Sequence, residues 1–146
     1  MYKHMLVATD GSDVAGKAVE HALGLAKAVG AKVTVLTVTP PWSALAFGMV
    51  QGLPSHESYD AATAEQAQQI LSAAAQRAAS LGVPCSIVHV VEANPYQSIL
   101  RSAEETECDL IVVGAHGRRG VERLLLGSET SKLLTHSKRP VLVWRG

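Results

Sequence analysis

The chain of 146 residues has few cysteines, no surplus of either charge and no long apolar run. Its two cysteines, Cys85 and Cys108, show no metal-ligand spacing and suggest no disulfide framework, so we interpret them as core residues. Thirteen basic residues balance thirteen acidic ones, which argues against a nucleic-acid binder. No apolar run reaches membrane-spanning length, and the opening segment has no secretory pattern. We therefore expect a cytoplasmic protein without a membrane segment.

Three common motifs are also missing. The chain contains no G-x-x-x-x-G-K-[ST] phosphate loop. The place of a G-x-G-x-x-G fingerprint, after the first predicted strand, is taken by TDGSD, which has a single glycine. A G-x-S-x-G nucleophile elbow is absent as well. P-loop hydrolases, dinucleotide-dependent dehydrogenases and esterases therefore lose their main support.

Short apolar runs alternate with helical patterns along the chain. Strands are predicted at Met5–Thr9, Val33–Val38, Cys85–Val91, Leu110–Val113 and, after Pro140, in VLVW. Helices are predicted at Ser12–Val29, from about Tyr59 to Leu81, from Asn94 to about Thr106, and at Ser128–His136. Strict alternation with continuous apolar strands predicts one α/β domain over 1–146, a doubly wound, five-stranded, mostly parallel sheet with helices on both faces, Rossmann-like in type.

The segment between the second strand and the second helix has three prolines, two glycines and no clean period, which predicts a long loop. Its apolar residues within 40–56 include Trp42, Phe47 and Met49. We expect either a disordered excursion or, given this apolar content, a lid or a contact surface for a protein partner.

A glycine-punctuated segment follows the fourth predicted strand. It contains Gly114, Gly117 and Gly127, and then Ser128, which we predict as the N-cap of the last helix. Glycine lets a backbone turn at positive φ and approach a ligand closely. A strand, a glycine loop and a helix N-terminus make an anion site with free N–H groups. The alternative is a plain strand-to-helix connection with an ordinary cap.

Ligands of doubly wound sheets bind beyond the carboxyl ends of the strands, where the strand order reverses. Asp10, Val38 and Gly114 each end a predicted strand, so we expect all three on the same rim of the sheet. Asp10 has two interpretations, a ligand contact or a cap in the turn after the first strand.

The spacing G-x2-G-x9-G-S resembles the nucleotide-binding motif of the universal stress protein family. MYKHMLVATDGSD resembles the family's first strand and turn, VTVLTV its second strand, and the chain from Glu107 its C-terminal third. The resemblance implies a sheet of the adenine nucleotide alpha-hydrolase-like type. It also implies the branch that binds ATP, with any Mg²⁺ carried by the phosphates.

The same resemblance implies three groups of ligand contacts. The ribose and adenine side would be lined by Ala8, Thr9 and Asp10, with an adenine contact from the backbone of Val38. The ribose and phosphates would be wrapped by Val113, Gly114, His116 and Gly117. The phosphates would be held at the last helix by Gly127, Ser128, Glu129 and Thr130. Glu129 departs from the family, which often has a small or apolar residue there. A carboxylate at this position suits the helix dipole but repels phosphate.

Two residue types in the glycine loop carry further hypotheses. Arg118 and Arg119 have the shape that binds phosphate, although a charged loop is more often only solvated. His116 could donate to a phosphate, act as a base, or simply line the site.

No acidic pair indicates a dedicated Mg²⁺ site, and no activated nucleophile stands out. The leading hypothesis is therefore an ATP-binding, stress-response regulatory protein in which nucleotide occupancy changes the dimer surface or loop order. Two alternatives stay open. One is a slow ATPase or nucleotide hydrolase that uses Asp10 or His116, and the other is a nucleotide-free dimeric interaction module.

The C-terminal strand 140–144 should be a sheet edge, and an exposed apolar edge invites pairing with a second copy. We therefore expect a homodimer through this strand, as the family resemblance also implies. The alternative is a monomer whose edge is shielded by Lys138, Arg139 and Arg145.

Overall fold

Strands and helices alternate in the computed structural model, which describes residues 1–46, 52–117 and 126–146. The strands there are β1 (His4–Ala8), β2 (Lys32–Thr39), β3 (Cys85–Val91), β4 (Leu110–Gly114) and β5 (Val141–Trp144). The helices there are α1 (Asp13–Val29), α2 (Trp42–Ala46), α3 (His56–Leu81), α4 (Pro95–Glu105) and α5 (Ser128–His136). Within these ranges, no helix combines the length and the apolar character that crossing a bilayer requires.

All neighbouring strands pair in parallel, in the order β3-β2-β1-β4-β5. The chain places β2 and β3 on one side of β1 and then returns to place β4 and β5 on the other side. The order therefore reverses between β1 and β4, where Met5 pairs with Leu110 and Val7 with Val112. In a doubly wound sheet, the ligand crevice lies beyond the carboxyl ends of such a strand pair.

The sheet separates two apolar layers, because successive side chains of a strand point to opposite faces. Met5 and Val7 enter one layer with α1 and α3, whereas Leu6 enters the other with α4 and α5. All three side chains are fully buried, and each contributes about 1.5–3 kcal/mol of hydrophobic stabilisation. Helices cover both faces, which confirms the predicted architecture.

The connection between β2 and α3 differs from the predicted unbroken loop, because the short helix α2 begins at Trp42, directly after two prolines. The Trp42 indole N–H donates to the carbonyl of Pro54 (2.9 Å), and its ring stacks on His56 with centroids 5.0 Å apart. These contacts join the two ends of the segment. Residues 47–51 lie outside the described residues, so the lid or partner surface over 40–56 stays a prediction.

Side-chain caps set the starts of two helices. The Ser12 hydroxyl accepts from the Ala15 N–H (3.3 Å), which confirms Ser12 as the predicted cap of α1. The Ser55 hydroxyl accepts from the Ser58 N–H (3.1 Å) in the same way. As a result α3 begins at residue 56, ahead of the predicted start at Tyr59.

A buried histidine ties the amino ends of β1 and β2 to the turn before β4. His4 Nδ1 lies 3.0 Å from the Thr106 carbonyl, and Nε2 lies 2.7 Å from the Thr34 hydroxyl. Because a carbonyl only accepts, Nδ1–H donates to Thr106, and Nε2 accepts from Thr34. Burial lowers the pKa of His4, and the nearby charge of Lys32 lowers it further, against an opposing effect of Asp109. The ring is therefore held neutral.

Candidate functional site

The turns after β1 and β4 lie against each other beyond the sheet. A Cβ built on Gly114 would lie 3.0 Å from Val14 Cγ1 and 3.3 Å from the Ala15 nitrogen, both in the first turn of α1. Glycine at 114 therefore lets the end of β4 approach the helix that follows β1.

The turn after β1 is fixed by its own side chains. Asp10 Oδ1 accepts from the Ser12 N–H (2.9 Å), and Thr9 Oγ1 accepts from the Gly11 N–H (3.2 Å). Gly11 has a φ of 82°, in the left-handed region that favours glycine. Thr9 is buried, and its carbonyl accepts from the Thr37 hydroxyl. This turn confirms the structural role predicted for Asp10 and holds its carboxylate, half-buried, at the crevice.

Gly117 and Gly127 also stand where a Cβ would lie closer to a neighbouring atom than an ordinary contact. A Cβ on Gly117 would lie 2.5 Å from Asp10 Oδ2, and one on Gly127 would lie 3.3 Å from His116 Cα. His116 itself is half-buried, with Nδ1 3.5 Å from the Gly117 carbonyl. All three motif glycines are among the described residues, and none has a positive φ. Of the two properties that glycine offers, these three positions use the close approach and not the positive φ.

Gly127, and not Ser128, is the N-cap of α5. Gly127 is extended, its N–H donates to the Ala115 carbonyl (2.8 Å), and its carbonyl accepts from the Ser131 N–H (3.0 Å). The prediction that Ser128 caps α5 is wrong, because this bonding already makes Ser128 the first helical residue. The amides of 128–130 precede the first helical hydrogen bond and have no partner within the helix. Such amides, at the positive end of a helix dipole, suit a phosphate.

The next two side chains of α5 are engaged in contacts within the protein. The Thr130 hydroxyl is buried and donates to the Gly114 carbonyl (3.0 Å). Glu129 Oε2 accepts from the Tyr96 N–H (2.9 Å), and its Oε1 lies 3.6 Å from Lys132 Nζ. What these two residues can offer a phosphate is therefore their backbone N–H groups.

The predicted adenine-side residues lie at the ends of the central strands. Ala8 and Val38 are half-buried and pack against the apolar layer formed with α4 and α5. Val113, which was predicted beside the ribose and phosphates, is a buried member of the same layer. Ala8 and Val38 are therefore apolar side chains at or near the carboxyl ends of β1 and β2. Arg118 and Arg119 lie outside the described residues, so their phosphate contacts stay predictions.

The described residues include no group of three or more histidine, cysteine or carboxylate side chains placed to hold a metal ion. The carboxylates of the candidate site, Asp10 and Glu129, accept from backbone N–H groups. What the crevice offers is the backbone amides of 128–130, one half-buried carboxylate at Asp10 and the partly buried Ala8 and Val38 at or near the strand ends.

Three residues that shape the candidate site could not be identified from the sequence. The sequence places Val14 and Ala15 in the first predicted helix and gives no sign that Gly114 packs against them. Tyr96 lies 33 residues before Glu129, and no local pattern links the two. The sequence feature that points to the first of these contacts is Gly114, directly after a buried strand. It indicates a close approach but not which residues are approached.

The strand order defines a doubly wound α/β protein, and the candidate site lies at the point where that order reverses. The chain belongs to the universal stress protein family, whose family model matches residues 1–145. The predicted membership of this family is thereby confirmed.

Two relatives share a third of their residues with this chain. Universal stress protein MJ0531 of Methanocaldococcus jannaschii is 33% identical over 146 residues, which cover 98% of this chain and 82% of the relative. Universal stress protein YxiE of Bacillus subtilis is 33% identical over 150 residues, which cover 99% of this chain and 100% of the relative.

Solved structures share the fold. The structure of hypothetical protein MJ0577 matches with a TM-score of 0.84 at 26% identity, covering 99% of this chain and 96% of that one. A universal stress protein in complex with cAMP matches with a TM-score of 0.70 at 29% identity, covering 97% and 95%. These likenesses confirm the predicted Rossmann-like fold.

Proposed function

We propose that this chain binds an adenine nucleotide, ATP, in the crevice between the carboxyl ends of β1 and β4. The observation that carries the proposal is the first turn of α5. Its amides at 128–130 have no partner within the helix, and Gly127, which precedes them, packs on the turn after β4. Helix N-termini attract phosphate through such N–H groups and through the helix dipole. The family member solved with cAMP supports an adenine nucleotide as the ligand class.

The phosphates, the ribose and the adenine of ATP would each contact a different part of the crevice. The phosphates bind the amides of 128–130, with further contacts from Arg118 and Arg119, and bring any Mg²⁺ with them. The ribose hydroxyls donate to the carboxylate of Asp10, which is held at the crevice. The adenine lies against the end of β2 at Val38, where the exposed strand end can supply backbone hydrogen bonds. Nucleotide occupancy then regulates a cytoplasmic stress-response protein.

We also propose a homodimer through the edge strand β5. The Ile111 N–H donates to Pro140 O (3.0 Å), and the Ala115 N–H donates to Trp144 O (2.8 Å). The even-numbered residues of β5 therefore form the hydrogen bonds to β4. Because successive residues of a strand direct their N–H groups to opposite sides, the N–H of Val143 points away from β4. The strand is half-buried and apolar, which suits antiparallel pairing with its own copy across a two-fold axis.

Isothermal titration of the purified chain with ATP, AMP, cAMP and adenosine tests the nucleotide proposal. We expect ATP to bind at least about tenfold more tightly than adenosine, which corresponds to ~1.4 kcal/mol from the phosphate contacts. Mass spectrometry of whatever the denatured protein releases identifies the natural ligand. No heat and no thermal shift with any of the four compounds would overturn the proposal.

A further inference from the structure

The carboxylate of Glu129 joins the ends of two helices. Its Oε2 accepts from the N–H of Tyr96, the second residue of α4, at 2.9 Å. The first N–H groups of a helix have no partner inside it and need an acceptor from elsewhere. Asn94, the N-cap residue of α4, supplies no side-chain hydrogen bond. The acceptor for Tyr96 at the start of α4 therefore comes from the first turn of α5.

The neighbouring residue fixes the same turn on its other side. The buried hydroxyl of Thr130 donates to the Gly114 carbonyl (3.0 Å), at the end of β4. Two consecutive residues thus attach the first turn of α5 to the sheet and to α4. The amides at 128–130 belong to this turn, so their position depends on both attachments.

Two positively polarised groups lie beside the carboxylate of Glu129. Lys132 Nζ is 3.6 Å from Oε1, and the positive end of the α4 dipole lies at Oε2. The carboxylate is therefore directed to α4 and Lys132. A residue whose type alone suggests repulsion of phosphate therefore has favourable partners within the protein, the Lys132 ammonium and the first turn of α4.

We propose that Glu129 is a positioning residue of the nucleotide site, which holds the phosphate-binding turn of α5 against α4 through the Tyr96 amide. This inference rests on the proposed nucleotide binding. It assigns to Glu129 an effect on phosphate affinity that comes from its hydrogen bond and not from its charge.

Two variants of Glu129 separate these effects. Glu129→Gln removes the charge and keeps an acceptor oxygen, so affinities for ATP, AMP and adenosine should stay within about twofold of wild type. Glu129→Ala removes the acceptor, so ATP and AMP should weaken by at least about fivefold while adenosine stays within about twofold. A rise in ATP affinity in Glu129→Gln that exceeds the change for adenosine would overturn the proposal in favour of simple repulsion.

A third variant separates positioning from mere capping of α4. Asn94→Asp in the Glu129→Ala background places a negative charge at the N-cap of α4, where the helix dipole favours it, and so stabilises α4 without the link to α5. We expect this double variant to regain thermal stability but not ATP affinity, because the link to α5 is still missing. Recovery of both would show that Glu129 only caps α4, and would overturn the proposal.

Amide exchange measured by NMR without nucleotide distinguishes failure of this proposal from failure of the proposed function. The Tyr96 N–H should be protected in wild type and in Glu129→Gln, and should exchange at least about tenfold faster in Glu129→Ala. Unchanged protection in Glu129→Ala would overturn the link itself. If Tyr96 exchanges faster in Glu129→Ala as expected, but the wild-type protein binds no nucleotide, the link stands and the proposed nucleotide site is overturned.

Discussion

Gly117 leaves the space that the carboxylate of Asp10 occupies, since a Cβ at residue 117 would come within 2.5 Å of Asp10 Oδ2. The two residues belong to the turns after β4 and β1, which follow the two strands where the sheet order reverses. A side chain at 117 would displace the carboxylate first, because that is the movable partner. The crevice would then change shape while the sheet below it stayed intact.

Ser128→Ala should weaken ATP binding more than adenosine binding, because its hydroxyl lies at the helix end that addresses phosphate only. Since Gly127 is the N-cap, the free energy of unfolding should change by less than about 0.5 kcal/mol, as for an ordinary surface substitution. Calorimetric titration with both ligands and urea denaturation provide the two measurements.

Ser131→Ala is the matched control for Ser128→Ala, because Ser131 is an exposed serine one turn further along α5. It should bind ATP like wild type. Equal losses for ATP and adenosine in Ser128→Ala would indicate general disruption of the site, which contradicts a phosphate contact.

Stability should fall as the pH is lowered through about 6.5, because of His4. Burial lowers the pKa of His4 in the folded chain, whereas the unfolded chain titrates near the ordinary value. Between these two pKa values the unfolded state binds more protons, so acid favours unfolding; below the folded-state pKa the loss levels off. Urea denaturation from about pH 7.5 to about pH 5 should show this slope.

His4→Gln should lower the free energy of unfolding at pH 7.5 by about 1–3 kcal/mol, because glutamine satisfies the Thr34 hydroxyl and the Thr106 carbonyl less well than the imidazole ring does. It should also flatten the pH slope, because glutamine does not titrate. His136→Gln changes an exposed histidine and should keep the slope. A His4→Gln variant with the wild-type pH dependence would show that the slope arises elsewhere.

Val143→Pro should convert the homodimer to a monomer, because proline lacks the N–H that Val143 directs away from β4. The bonds of β5 to β4 use even-numbered residues and should persist. Light scattering at micromolar concentration measures the mass.

Ile87→Pro is the matched control on the opposite edge of the sheet. The Val33 N–H donates to Pro84 O, so even-numbered positions of β3 bond to β2 and Ile87 directs its N–H outward. This variant should stay dimeric. A wild-type mass of one chain, or a Val143→Pro dimer, would remove β5 from the interface.

The order of elements was predictable because the central strands are continuous apolar runs. Strand β3 and helix α5 have their predicted bounds, as does the terminal run VLVW. Helix α2 was not predictable, since five residues that directly follow two prolines are too few to show a helical period.

The candidate site was predictable in composition but not in bonding. Whether Gly127 or Ser128 caps α5 depends on one bond, from the Ser131 N–H to Gly127 O, which no residue pattern specifies. The direction of the Glu129 side chain depends on where α4 packs. Glycine spacing likewise does not distinguish a positive φ from a close approach to Asp10, and here the second holds.

The most direct test of the nucleotide site is calorimetric titration of ATP into Gly117→Val beside Gly24→Val. Both variants replace glycine by valine, but a Cβ at Gly24 in α1 meets nothing within 4 Å, whereas one at Gly117 meets Asp10 Oδ2. Gly117→Val should lose at least about tenfold in ATP affinity, ~1.4 kcal/mol, and Gly24→Val should bind like wild type. A folded Gly117→Val protein that binds ATP as tightly as wild type would contradict the assignment of this crevice.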